Sequence, residues 1–169
     1  VSRGTLLTRL RPAGPEEAAL LEAWDAEPRS PFEDWSGPQP VGACIAPAGD
    51  GGGRLVVTDG DGLPIGTVSW RPVFYGPNLG SKAMEIGISL LPSAQGRGHG
   101  ARAQRMVVRY LFSTTSVHRV QASTDVDNTA EQKALERAGF VREGVLRGAQ
   151  WRQGAFHDLV SYGVLRDDA

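Results

Sequence analysis

The chain has one cysteine, Cys44, in 169 residues, so no internal disulfide braces it and stability must come from a packed core. Surplus charge is missing too: 18 Lys and Arg stand against 19 Asp and Glu, a net of −1. Nucleic-acid binding rests on a marked cationic excess, so no nucleic-acid partner is expected. No apolar run approaches the roughly twenty residues of a membrane span, and no hydrophobic signal core opens the sequence. With the lone thiol, these absences predict a cytoplasmic protein with no membrane partner. Asp59-Gly60-Asp61-Gly62 is too short for a calcium loop, and no metal is implied.

What is present is an ordinary globular composition, 40% hydrophobic and 22% charged, in a length that suits one domain over residues 1–169. The 22 glycines and 11 prolines are scattered rather than repetitive, which marks generous loops. Alternation predicts a first strand from Leu6 to Arg11. Gly14-Pro15-Glu16-Glu17 then reads as a helix start, with proline at the first position and acids in the first turn. Leu20, Leu21 and Trp24 are the expected buried stripe of that helix. From Pro28 to Pro40 the chain is irregular but carries Phe32 and Trp35, either anchors or the wall of a pocket.

Further strands are expected at Leu55–Thr58, Ile65–Val73, Ala83–Leu91 and His118–Thr124, with two more at about Val141–Arg147 and Phe156–Leu165. Two helices complete the pattern. Ala101–Phe112 turns Val107, Val108, Leu111 and Phe112 inward. Asn128–Ala138 is closed by Gly139 at the left-handed cap position, followed by Phe140. Strand–helix–strand–helix over 83–140 implies parallel pairing there, and the terminal hairpin adds antiparallel strands, so a mixed α/β sheet follows.

The most informative stretch is Leu90-Leu91-Pro92-Ser93-Ala94-Gln95-Gly96-Arg97-Gly98-His99-Gly100-Ala101. Three glycines at alternate positions precede a helix, leaving backbone N–H groups unobstructed where the helix exposes its first unpaired donors. That is a cradle for a phosphate or pyrophosphate. Gly96, Gly98 and Ala101 also satisfy a loose dinucleotide fingerprint, with Asp125 standing roughly where a ribose-binding acid would be. That fingerprint normally follows its strand directly, whereas Pro92 to Gln95 intervene here. A Walker loop is excluded because no Gly-Lys-Ser/Thr follows.

Gln95-Gly96-Arg97-Gly98-His99-Gly100 resembles the acyl-CoA-binding motif of the GNAT N-acetyltransferases. Asn128-Thr129-Ala130-Glu131 with Leu135-Glu136-Arg137-Ala138-Gly139-Phe140 looks like the asparagine-to-Gly-Phe helix of the same family. Val141 to Arg147, Gly154 and Asp158-Leu159-Val160-Ser161-Tyr162 are similar to the ending of its ribosomal-protein N-terminal acetyltransferase branch, the Rim type. The likeness covers residues 83–166 well and residues 1–60 only in outline.

The resemblance implies a GNAT-type α/β fold, a central mixed, mostly antiparallel sheet of six or seven strands flanked by helices. It implies transfer of an acetyl group from acetyl-CoA, a cosubstrate, to a primary amine by direct attack. The acceptor would be a protein N-terminus or a small molecule such as an antibiotic or metabolite, and a homodimer is compatible with it. A non-catalytic acyl-CoA-binding or sensor module of the same fold is the alternative. Cys44 lies outside every motif, which argues against an acyl-enzyme.

By the same resemblance Leu90 would meet the pantetheine arm, and its N–H the developing oxyanion. Gln95, Gly96, Arg97, Gly98, His99, Gly100 and Ala101 would hold the pyrophosphate, and Asn128 would bond the arm from the next helix. Glu85 stands where many members place an acid that relays the acceptor's proton, or it is a solvent-facing strand residue. At physiological pH roughly a fifth of an α-amine is neutral but only about a thousandth of a lysine amine, so a base matters most for the second.

Two positions depart from the family's pattern. Leu135 stands where many members carry a tyrosine that protonates the departing thiolate, and Glu131 where the Rim type often has serine. Glu131 has a structural reading as the partner of Asn128 in a reciprocal helix cap. Either the thiolate leaves without a dedicated acid, or Tyr110, Tyr162 or Ser161 supplies the proton. His157 and Trp151, in the terminal hairpin, flank the expected acceptor pocket, and His157 is a reserve base.

Overall fold

A computed structural model describes residues 7–26, 28–38 and 51–168. Cys44 and Leu6 lie outside the described residues. The strands are β1 (Arg9–Arg11), β2 (Gly53–Thr58), β3 (Pro64–Phe74), β4 (Lys82–Leu90), β5 (Arg119–Asp125), β6 (Val141–Arg152) and β7 (Ala155–Leu165); the helices are α1 (Ala18–Ala26), α2 (His99–Thr114) and α3 (Thr129–Ala138). The seven strands form one sheet in the order β1-β2-β3-β4-β5-β7-β6. Every neighbouring pair is antiparallel except β4 and β5, the pair that α2 connects by a crossover. The mixed, mostly antiparallel sheet expected from the sequence is the one found.

The core lies where α2 and α3 cover the sheet. Ala103, Val107, Val108, Leu111 and Phe112 of α2 recur at helical spacing and are all buried, meeting Val68, Met84, Val120 and Val160 from four strands. Leu135 and Ala138 bring α3 onto the same core. Gly139 ends that helix at φ 101°, a left-handed conformation, and turns Phe140 back into the interior.

The first helix departs from the expectation. A short 3-10 turn, Pro15–Glu17, comes first, and no residue of α1 is fully buried. Leu20 is 39% exposed rather than part of a core stripe. The element is held at its entry by charge: Arg11 donates two bonds of 2.6 Å to Glu17, which also accepts the Gly14 N–H at 2.8 Å. With its polar entry fixed to β1, α1 is free to face a cavity instead of the core.

The β6–β7 hairpin runs past the sheet. Gln153 and Gly154 turn it with φ of 52° and 76°. Its tip clasps residues 28–38: Trp151 Nε1 donates to Pro38 O at 3.0 Å and Gln153 Nε2 to Asp34 at 2.9 Å.

Candidate active site

The parallel strands β4 and β5 share only two register pairs, Met84 with Val120 and Glu85 with Gln121. Beyond them the strands part. Ile86, Ile88 and Leu90 on one side and Ala122, Ser123 and Thr124 on the other line a cleft of about 460 Å³. A gap inside a sheet leaves backbone N–H and C=O groups facing it, and these call for a partner. An extended ligand with amides along its length can lie there as an added strand does.

The glycine loop stands at one end of this cleft. Pro92 stops β4 and opens a single 3-10 turn, Pro92–Ala94. Gly96 and Gly98 follow with φ of 69° and 85°, and Gly98 caps α2. Two left-handed residues flanking Arg97 curl successive N–H groups inward, and the first turn of α2 adds its own unpaired donors and positive dipole end. Gly96, Arg97 and Gly98 are exposed, as an anion site demands. At Gly100 a Cβ would stand in ordinary contact with Leu90 and Ala134, so α2 lies against β4 and α3 there with room for a methyl group.

Two loop residues turn elsewhere. The Gln95 amide donates to Leu90 O at 3.0 Å, fixing the loop to the end of β4. The His99 ring is buried, 2.9 Å from Thr8 Oγ1, and its burial, then the positive charge of Arg102, pushes its pKa below the usual value. Its neutral ring thus ties the loop to the segment before β1, and neither His99 nor Arg97 lines the cleft.

Asn128 caps α3, its Oδ1 accepting the Glu131 N–H at 3.2 Å, and lines the cleft. The reciprocal half of the expected cap is absent. Glu131 points inward, where its carboxylate accepts a hydrogen bond from Gln104 Nε2, and its remaining exposed surface faces the cleft. Burial, opposed by that bond and reinforced by the charge of Glu33, raises its pKa from 4.5 to about 7. Gln104 is 1% exposed, and its Oε1 is buried with no hydrogen-bond donor. Leu135 is fully buried in the core.

On the other side of the sheet lies a second cavity, about 700 Å³, walled by Trp24 and Asp25 of α1, Trp35, Arg54 and Ser69. Glu33, Gly87 and Ile88 line both chambers, so the two meet between β4 and the 28–38 segment. Ser89 Oγ donates to the Glu33 carboxylate, 3.0 Å from each oxygen. Arg54 pairs with Asp25 through two bonds of 2.8 Å.

One buried ion pair ties these parts together. Arg152, 3% exposed, pairs with Asp125, 4% exposed, at the end of β5. Its Nη1 donates to Pro31 O at 2.5 Å and its guanidinium lies 5.5 Å from the Phe32 ring centre. Arg152 thus sets both the loop that leads into Asn128 and the segment that carries Glu33. Asp125 serves this pair and the Asp127 N–H, not a ribose.

The structure gathers Leu90, Gln95, Gly96, Gly98, Gly100, Ala101 and Asn128 along one cleft. Glu85 shares a face of β4 with Gly87 and Ser89, but it lines neither chamber and its carboxylate is held by Arg71, with the Arg71 Nε at 2.7 Å. His157 also lines neither; its Nε2 is 3.1 Å from Arg152 O and its Nδ1 3.5 Å from Asp125. Of the hydroxyls considered for the thiolate, Tyr162 is buried and donates to Glu136, Tyr110 stands against Trp70, and Ser161 pairs with Ser123 in the sheet. Glu33 and Gln104 carried no signal in the sequence: one sits in an irregular segment, the other in the body of a helix.

The model of the acetyltransferase (GNAT) domain family matches residues 8–141. Probable N-acetyltransferase YjcK of Bacillus subtilis is 31% identical over 113 residues, 67% of this chain and 61% of that protein. The ribosomal-protein-S5-alanine acetyltransferase of Vibrio fischeri, a solved structure, is 29% identical with a TM-score of 0.60, covering 68% of this chain and 62% of that one. The spermidine N-acetyltransferase of Vibrio cholerae, solved with CoA and spermine, has a TM-score of 0.75 over 95% of this chain and 96% of its own, at 20% identity, and speaks to the fold alone. The chain spans less than two thirds of the length of the curated relatives it matches. By its family match, and by the glycine cradle and parted strands that bear it out in structure, this chain belongs to the GNAT acetyltransferase family.

Proposed function

We propose that this protein transfers an acetyl group from acetyl-CoA to a primary amine by direct attack. The observation that carries the proposal is the pair of chambers meeting at Gly87, Ile88 and Glu33. One chamber has the polar strand edges that a pantetheine arm would bond, and it ends in a cradle for pyrophosphate. The other admits the acceptor from the opposite side, so that the nitrogen reaches the thioester where the two join.

In this reading Leu90 and Asn128 bond the arm, and Gln95 to Ala101 hold the pyrophosphate, largely by main-chain N–H groups. Glu33 takes the proton of the attacking ammonium, being the carboxylate that lines both chambers. Glu85, two residues from Gly87 on the same face, is the alternative base, and it would act through water. The acceptor is a protein N-terminus or a small amine; Trp24 and Trp35 offer it apolar walls, and Glu33 and Asp34 offer it negative charge.

Calorimetric titration with acetyl-CoA, using Gly98→Ala beside Gly98→Asp, tests the donor site. Both substitutions strain a left-handed position, but only aspartate sets a negative charge where the pyrophosphate lies. Binding should weaken modestly in the first and collapse in the second. Equal affinities in two folded variants would remove the loop from the site. Release of free CoA thiol across a panel of amines then identifies the acceptor.

A further inference from the structure

We propose that Glu131 is the group that protonates the departing CoA thiolate, with Gln104 holding its carboxyl in place. The inference rests on the reading of the cleft as the acetyl-CoA site.

Place is the first argument. The thioester carbon has to lie where the chambers join, beside Gly87 and Ile88, because donor and acceptor enter from opposite sides. Glu131 opens onto the donor chamber, and its carboxyl feels the charge of Glu33, which lines that junction. Both carboxyls therefore open onto the donor chamber, Glu33 reaching the acceptor's chamber as well and Glu131 the donor's alone.

Protonation is the second. The buried Oε1 of Gln104 lacks a donor while its Nε2 donates to Glu131. A carboxylate cannot supply that missing hydrogen; a carboxylic acid can, accepting from Nε2 through one oxygen and donating to Oε1 through the other. The pair is complementary only when Glu131 carries its proton, in agreement with a pKa of about 7. The remaining charged groups along the cleft are Asp125, engaged by Arg152, and Arg137 farther along α3.

Strength is the third. Ser30, Ser123 and Thr124 also line the cleft, but an alcohol is a far weaker acid than a thiol and would give up its proton uphill. An acid near 7 gives its proton downhill to a thiolate whose conjugate acid has a pKa of about 8.5. The step balances. The amine nitrogen bonds to the carbonyl carbon, the carbon–sulfur bond breaks with its electron pair passing to sulfur, and sulfur takes the proton of Glu131. The nitrogen loses two protons in all: one passes to Glu33 before the attack, and the second leaves the nitrogen of the adduct to water, from which Glu131 is reprotonated as CoA departs.

The test has two arms. In the first, protein labelled with carboxyl-¹³C glutamate is titrated by NMR as its complexes with CoA and with desulfo-CoA, the Glu131 signal being identified from its loss in Glu131→Gln. Contact with sulfur should move the Glu131 midpoint by about half a pH unit or more between the two complexes. In the second, acetyl transfer to spermidine and to an alanine-initiated peptide is followed from pH 6 to 9. Glu131→Gln should lower kcat about 100-fold with KM for acetyl-CoA changed less than about threefold, and should abolish the fall in kcat on the alkaline side. Identical midpoints in the two complexes, or a variant with wild-type kcat, would overturn the proposal. If wild type acetylates neither amine, the first arm decides. Failure of wild type to bind CoA overturns the proposed function itself, and this assignment with it.

Discussion

Replacing Glu131 by glutamine should make the protein more stable, and increasingly so as pH rises. Glu131 has an ordinary pKa of 4.5 in the unfolded chain and one of about 7 in the folded protein, because burial disfavours its charge. Between those values the folded state holds a proton that the unfolded state has released, so rising pH favours unfolding. At roughly 1.4 kcal/mol per pH unit, the cost of keeping Glu131 in place grows to about 3 kcal/mol once pH passes 7, and it vanishes below 4.5. Glutamine matches the side chain in shape, can still bond Gln104, and does not titrate. All other groups titrate alike in the two proteins and cancel in the difference. Urea unfolding should therefore give nearly equal stabilities at pH 4.5 and a variant about 3 kcal/mol more stable at pH 8. In thermal terms this is a gain of about 6–12 °C for a domain of this size. Parallel stability curves from pH 4.5 to 8 would refute the reasoning, since they would mean that Glu131 titrates at the same pH folded and unfolded.

Three further outcomes are expected. Arg152→Met strips buried Asp125 of its guanidinium partner, leaving it the Asp127 N–H and the His157 ring 3.5 Å away, which should cost about 3–5 kcal/mol in chemical denaturation; adding Asp125→Asn should restore a good part of it, and no recovery would place the loss in Pro31 and Phe32 instead. Glu33→Gln should cut kcat/KM about 100-fold at neutral pH and recover as pH approaches the acceptor's own pKa, whereas Glu85→Gln, parted from Arg71, should change it far less; the reverse order in a pH–rate profile would move the base to Glu85. Asn128→Ser should keep the α3 cap and the melting temperature while raising KM for acetyl-CoA, and a loss of stability alone would confine Asn128 to capping.

The parts legible in the sequence are those whose cause is local. Gly98 must take a left-handed φ to begin α2, Asn128 and Gly139 begin and end α3 by their own backbone chemistry, and the inward face of α2 follows from spacing alone. The first helix forms, but its expected buried stripe does not, because three apolar residues predict a stripe and not what the stripe faces; Trp24 faces a cavity, and Leu20 faces solvent. Glu33 has no periodicity around it, and its position is imposed by Arg152, which donates to the nearby Pro31 carbonyl from the far end of the chain.

Glu131 shows how one short pattern supports two chemistries. Asn-x-x-Glu at a helix start is written the same way whether the glutamate turns back to the cap or swings inward. Turned back, it would be solvated and ionised, its carboxylate answering the N–H of Asn128. That N–H is already bonded to Asp125 O at 3.0 Å, so the outward position offers nothing to hold it. Gln104, 27 residues earlier on α2, offers an amide in the interior instead. The choice between cap and buried acid is therefore made by the packing of α2 against α3. The residue at 104 decides it, so Gln104→Leu should return the Glu131 carboxyl to an ordinary pKa by releasing it toward solvent. A Glu131 signal that still titrates near 7 in that variant would show that burial, without the amide, is enough to hold the side chain in the cleft.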